Sequence, residues 1–127
     1  DSIIAANLKA CNRFRMFNGQ AAEQDIKHLI DSGSFGIDLI KHNLVVFRGG
    51  EGALQILPPL LDIVPEARLN LAIHHLKRNE VQDAHQLVKD IQPKVPHEYI
   101  LKGVVHACMY QETGSVSLNF LITLILI

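Results

Sequence analysis

Three alanines set the frame for this chain. Ala22, Ala53 and Ala84 stand 31 residues apart both times. Four residues after each come Ile26, Leu57 and Val88, and seven after come Leu29, Leu60 and Ile91. Eight residues before each stand Phe14, Val45 and Leu76. Twelve before stand Ala10, Lys41 and Ala72, with Gly103 one period later. A small residue early in a helix, followed by large apolar residues four and seven on, lets two antiparallel helices approach closely. Recurrence at a fixed period of this size marks a repeat architecture. Lys41 breaks the small-residue column. A shift of a residue or two in the neighbouring glycine-rich turn would account for it.

The chain in order supports paired helices. Ser2 suits an N-cap, and Ile3, Ile4, Leu8, Cys11, Phe14 and Phe17 recur at helical spacing. Asn18-Gly19 stops that helix, since both tolerate the left-handed conformation. Helical pattern resumes from Gln20 to Asp31, and Ser32-Gly33-Ser34 is a loop. Phe35 to Phe47 reads as a helix ended by Gly49, Gly50 and Gly52. Ala53 to Ile63 is apolar nearly all round and should be well buried, with a break at Pro58-Pro59. Pro65 suits a first helical turn, and Leu69, Leu71, Ala72, Ile73 and Leu76 form the apolar face. Val81, Ala84, Leu87, Val88 and Ile91 form the next stripe, closed by Pro93 and Pro96. His97 to Gln111 is a last amphipathic helix, with Tyr99, Ile100, Val104, Ala107 and Cys108 apolar, and Gly114 stops it.

These segments predict an all-α fold, a solenoid of stacked antiparallel helix pairs. Residues 1–114 make a helical-repeat domain of about three and a half repeats, and residues 115–127 an atypical apolar tail. From Val116 to Ile127 that tail is too short to cross a bilayer as a helix, which needs about 20 residues. The first residue is Asp1, so the chain is expected to be a fragment or to lack its start. Formal net charge is −1, and no basic field argues for nucleic acid or anionic lipid. Cys11 and Cys108 have no metal spacing and read as reduced, small apolar residues.

The chemical candidates are weak beside this pattern. His74 and His75 are adjacent, so on a helix they diverge by about 100° and share a metal poorly. His97-Glu98 lacks the second His of a zinc motif. Gly49 to Gly52 resembles a phosphate-cradling loop, yet Ala53-Leu54 stand where Lys-Ser/Thr would follow, and Gln55 fails the dinucleotide pattern. No serine sits in a nucleophile elbow. No cofactor, metal or catalytic residue is expected.

The helix-turn-helix unit and its period resemble tetratricopeptide repeats, best from Pro65 to Pro96. A closer likeness lies in HNLVVFRGGEGALQILPPL, VPEARLNLAIHHLKRNEVQDA and PHEYILKGVVHA. Together these resemble the family of tetratricopeptide repeat protein 26, the intraflagellar transport protein 56 family, over roughly Asn7 to Gln111. The resemblance implies a non-enzymatic scaffold or adaptor of the intraflagellar transport B complex, with roles in cilium assembly and ciliary transport. The implied partners are other subunits of that complex and ciliary cargo, with no nucleic acid and no membrane insertion. The implied locations are the cilium, the ciliary base and the cytoplasm. SVSLNFLITLILI departs from the family's helices, and a truncated or misread gene product is the expected reason.

In such solenoids the first helix of each pair lines a concave surface where partners bind. By repeat register, Asn7, Asp38, His42 and Lys77 are the candidate protein-binding residues. Two other readings stay open. A chaperone-tail adaptor would need a two-carboxylate clamp, for which Lys41, Asn43 and Arg68 form no convincing set. A nucleotide-binding enzyme would use the Gly49–Gly52 loop between a strand and a helix.

Overall fold

A computed structural model describes residues 2–32 and 36–110. Among them there are seven α-helices and no strand: α1 (Ser2–Arg15), α2 (Gly19–Ile26), α3 (Ile37–Phe47), α4 (Ala53–Ile56), α5 (Pro65–Lys77), α6 (Val81–Val88) and α7 (Pro96–Tyr110). Two 3-10 turns, Lys27–Ser32 and Pro58–Leu60, extend α2 and α4. The chain is an all-α helical-repeat protein, as the periodicity predicts. Gly33-Ser34 of the expected loop, Phe35 at the expected start of the next helix, Gln111, the expected stop at Gly114 and the apolar tail lie outside the described residues.

The described residues divide between Val64 and Pro65 into two units. In the first, α1 packs on α2, and α2 on α3. Its core holds Ala10, Ala22, Ile26, Ile40, Leu44, Val45 and Leu57. The rings of Phe14 and Phe47 lie 5.2 Å apart, between α1 and α3. In the second, α5 packs on α6, and α6 on α7. Leu69, Ala72, Ile73, Leu76, Ala84, Val88, Leu101 and Val105 form one apolar cluster there. Arg68 donates to the Leu87 carbonyl in the last turn of α6, and Lys102 to those of Lys89 and Ile91 just beyond it, which supplies partners to carbonyls around that helix end.

The repeat is visible in the backbone of the turns. After α1, the Phe17 amide donates to Phe14 and the Asn18 amide to Arg13. After α5, the Asn79 amide donates to Leu76 and the Glu80 amide to His75. Phe17 and Asn79 both sit at φ 61°. This is the paired-bond helix ending with one left-handed residue. The glycine cluster closes α3 the same way, with Gly49 donating to Val46, Gly50 to Val45, and Gly49 at φ 71°. Here, however, the left-handed residue falls one position later than the 31-residue period demands. The turn that follows is one residue shorter, which restores the register at Ala53. The shorter path needs two more left-handed glycines, Gly50 and Gly52.

That shift resolves the break at Lys41. Counted back from the left-handed residue, the slot of Ala10 and Ala72 is held by His42, which is 1% exposed, and Lys41 lies on the surface. Gly103, one period on, is exposed, and a Cβ there would meet no atom within 4 Å.

Several local expectations are corrected. The left-handed residue of the first turn is Phe17; Asn18 instead caps α2, its Oδ1 accepting from the Ala21 amide. Ile4, Leu8 and Phe17 are exposed, so the buried stripe of α1 runs through Ala10 and Cys11. Leu54 and Ile63 are exposed, so the Ala53–Ile63 stretch buries one face, through Ala53, Leu57 and Leu60. Tyr99 likewise points to solvent. The break at Pro58-Pro59 is present, as α4 gives way to the 3-10 turn.

Candidate protein-interaction surface

Two of the four candidate contact residues, Asn7 and His42, are linked through Asn43 in the first unit. Asn43 Nδ2 on α3 donates to Asn7 Oδ1 on α1 at 2.8 Å. His42 Nδ1 lies 2.9 Å from Asn43 Oδ1. With the Asn43 amide in this orientation its oxygen accepts, which pairs it with the His42 tautomer protonated on Nδ1. Asn43 Nδ2 also faces Cys11 Sγ at 3.9 Å. Burial pushes the Cys11 thiol up, against the opposing pull of Arg15, so the sulfur stays a protonated packing atom. This network ties α1 to α3. A buried amide with both ends satisfied holds a register, because any slip leaves it unpaired.

The other two are placed differently. Asp38 is half-buried in the first turn of α3, where its charge suits the positive end of the helix dipole. Lys77 is exposed in the last turn of α5, in the second unit, where a cation suits the negative end. His42, at 1% exposure, has no surface to offer a partner.

The glycine loop lacks the strand-loop-helix frame of a nucleotide site. His42 to Phe47 is helix, so the strand that a nucleotide site needs is replaced by α3. The amides of Gly49, Gly50 and Ala53 are spent inside the turn, on Val46, Val45 and Gly50.

At the end of α5, Glu80 Oε1 accepts from Arg78 Nε at 2.7 Å and lies 3.2 Å from His75 Nδ1. These donors hold the Glu80 carboxyl below its usual range. His75, Glu80 and Asp83 bring three ligand atoms within 4.8 Å of one another. The Arg78 guanidinium already lies on Glu80, and its positive charge opposes a cation at that point. His74 is shifted down by partial burial, and then by Arg78, His75 and Lys77.

The surface also carries a feature the periodicity concealed. Arg15, Met16 and Phe17 are consecutive and all exposed at the tip of the first hairpin, Met16 at 72% and Phe17 at 94%. Sequence reasoning placed Phe17 on a helical stripe. Aligning the three turns would have exposed it, because its slot holds Gly49 and Asn79 in the other two.

Helix pairs in register, polar groups turned to structural use and a surface with apolar residues exposed define a helical-repeat protein, with no strand among the described residues. The chain belongs to the intraflagellar transport protein 56 family, whose sequence profile matches residues 1–120. It is similar to the intraflagellar transport protein 56 homolog of Caenorhabditis elegans, with 47% identity over 77 residues, 61% of this chain. That match covers 13% of the relative's length, so the chain spans a small part of it. No solved structure matches the chain.

Proposed function

We propose that this chain is part of a non-enzymatic scaffold or adaptor subunit of the intraflagellar transport B complex. It acts in cilium assembly and in carrying ciliary cargo, through contacts with other subunits and with cargo proteins. Its places of work are the cilium, the ciliary base and the cytoplasm. The observation that carries this reading is family membership over residues 1–120 on a helical-repeat fold. Such folds present extended surfaces to proteins rather than a closed chemical site. Within that reading, residues 1–114 serve as one repeat segment, and Asn7, Asp38 and Lys77 remain candidate contacts, Lys77 exposed and the other two half-buried.

The chaperone-tail alternative needs cations and amides aimed together at a peptide carboxylate. Asn43 is instead buried against Asn7, and Arg68 is bonded to the Leu87 carbonyl. Neither is available for a clamp.

The test is replacement in ciliated cells. Cells lacking the full-length protein should assemble defective cilia, and re-expression should restore them. Normal cilium assembly and cargo content in its absence would contradict the proposal. Charge reversal at Asp38 and Lys77 that left every partner's recovery unchanged would remove those two residues from it.

A further inference from the structure

The three hairpin turns give an internal standard. All end a helix with the same pair of backbone bonds and a left-handed residue in the same slot, the glycine turn adding two more at Gly50 and Gly52. Glycine and asparagine suit that slot, and two of the turns use them, at Gly49 and Asn79. The first turn uses Phe17, at φ 61° and 94% exposed. A bulky residue is strained there, and its ring gains nothing from burial within the described residues. Local rules are broken twice at one position, by strain and by exposure. Such violations cluster at functional sites, where a partner supplies the compensation.

The neighbours state what kind of partner fits. Phe17 follows Met16 and Arg15, and aromatic residues, Met and Arg are the types enriched at the centre of protein interfaces. The patch is also positive. Lys9 and Arg13 share the single carboxylate of Asp25, at 3.6 and 2.7 Å. Arg15 has no ion pair among the described residues. Glu23 is taken up by Arg48 at 2.9 Å. The other hairpin tips lack this combination. One presents Arg48, Gly49, Gly50 and Glu51, and the other Lys77, Arg78 and Asn79. A membrane surface fits less well, because one ring and one thioether at a narrow tip insert little apolar area.

We propose that Phe17 is a docking anchor. It enters an apolar pocket on a partner protein, and Arg15 meets carboxylates on the pocket's rim. The proposal rests on the scaffold reading only in requiring a protein partner.

The test uses the full-length protein in ciliated cells, with a photo-reactive benzoylphenylalanine at position 17. The expected result is one dominant adduct with another protein, mapped to an apolar pocket bordered by Asp or Glu. Arg15→Glu should lower that adduct's yield about tenfold, and Arg15→Lys should keep it. In parallel, Phe17→Asn, which suits the left-handed slot, should unfold no earlier than the parent. It should lower recovery of that same partner about tenfold or more, while Phe17→Tyr retains it. An adduct within the same chain, with a second copy or with lipid would overturn the proposal, as would no adduct. An adduct insensitive to Arg15→Glu, or earlier unfolding of Phe17→Asn, would overturn it too. If the parent recovers transport subunits but position 17 gives no partner adduct, the anchor fails and the scaffold stands. If it recovers none but gives the charge-sensitive adduct, the scaffold fails and the anchor stands.

Discussion

Asn43 and Asn7 lie on different helices, 36 residues apart in sequence, and their side chains join at 2.8 Å. This bond and the His42 ring behind it fix which residues of α3 face α1. Asn43→Ala removes the donor to Asn7 and the acceptor of His42 together. The expected loss is about 1–3 kcal/mol, because Asn7 and His42 each lose a hydrogen bond inside the α1–α3 contact. Urea unfolding of the variant against the parent measures it.

The one-residue shift at the glycine turn makes a paired expectation. His42→Ala places in α3 the residue that Ala10 and Ala72 supply elsewhere, yet it should cost roughly 2 kcal/mol or more. The cost comes from the cavity and the orphaned Asn43 oxygen. Lys41→Ala, at the position the simple 31-residue period selects, should change stability by less than about 0.5 kcal/mol. Equal effects in thermal unfolding would mean that the shift is wrong.

Two glycines should respond with opposite signs. A Cβ on Gly19 would stand 2.5 Å from the Phe47 carbonyl oxygen, a backbone atom that cannot step aside. Gly19→Ala should therefore destabilise by about 1–3 kcal/mol, although alanine is the better helix former. Gly103 lies inside α7 with open space about it. Gly103→Ala should stabilise by about 0.4–1 kcal/mol, by restricting the unfolded chain. Melting temperatures of the two variants check both signs.

Acid should weaken the α5–α6 hairpin in two steps. His74 is shifted down in the folded state, so folding disfavours its proton. The resulting cost is absent well above pH 6.5 or so and grows as pH falls below it. Glu80 is also shifted down, because Arg78 and His75 donate to it. Its contribution is present above about pH 4.3, the ordinary carboxylate value, and is lost as pH falls through the lower folded value. His74→Gln should flatten the first decline in a plot of melting temperature against pH, and Glu80→Gln the second. Unchanged slopes would contradict the assignment.

The helices were legible because their apolar residues recur with the repeat. Ala22, Ala53 and Ala84 are at most 2% exposed, as their spacing implies. The break at Pro58-Pro59 followed from proline's missing amide. What the pattern hid has a common cause. A run of glycines can absorb a shift in either direction, so spacing alone could not choose between Lys41 and His42. His42 and Asn43 are polar residues on a buried face, and periodicity reads polar as exposed. Phe17 is apolar at a turn, and periodicity reads apolar as buried. The candidate contact positions are therefore the least legible part. His42 lies in the buried network with Asn43, and Asn7 is half-buried against it. The helical spacing of Phe17 implies core where the structure exposes it.

Affinity purification of the full-length protein from ciliated cells, with mass spectrometry of what co-elutes, tests the scaffold reading most directly. Subunits of the intraflagellar transport B complex should be recovered together, in amounts comparable to the bait. Their absence, under conditions where another subunit recovers the complex, would contradict it.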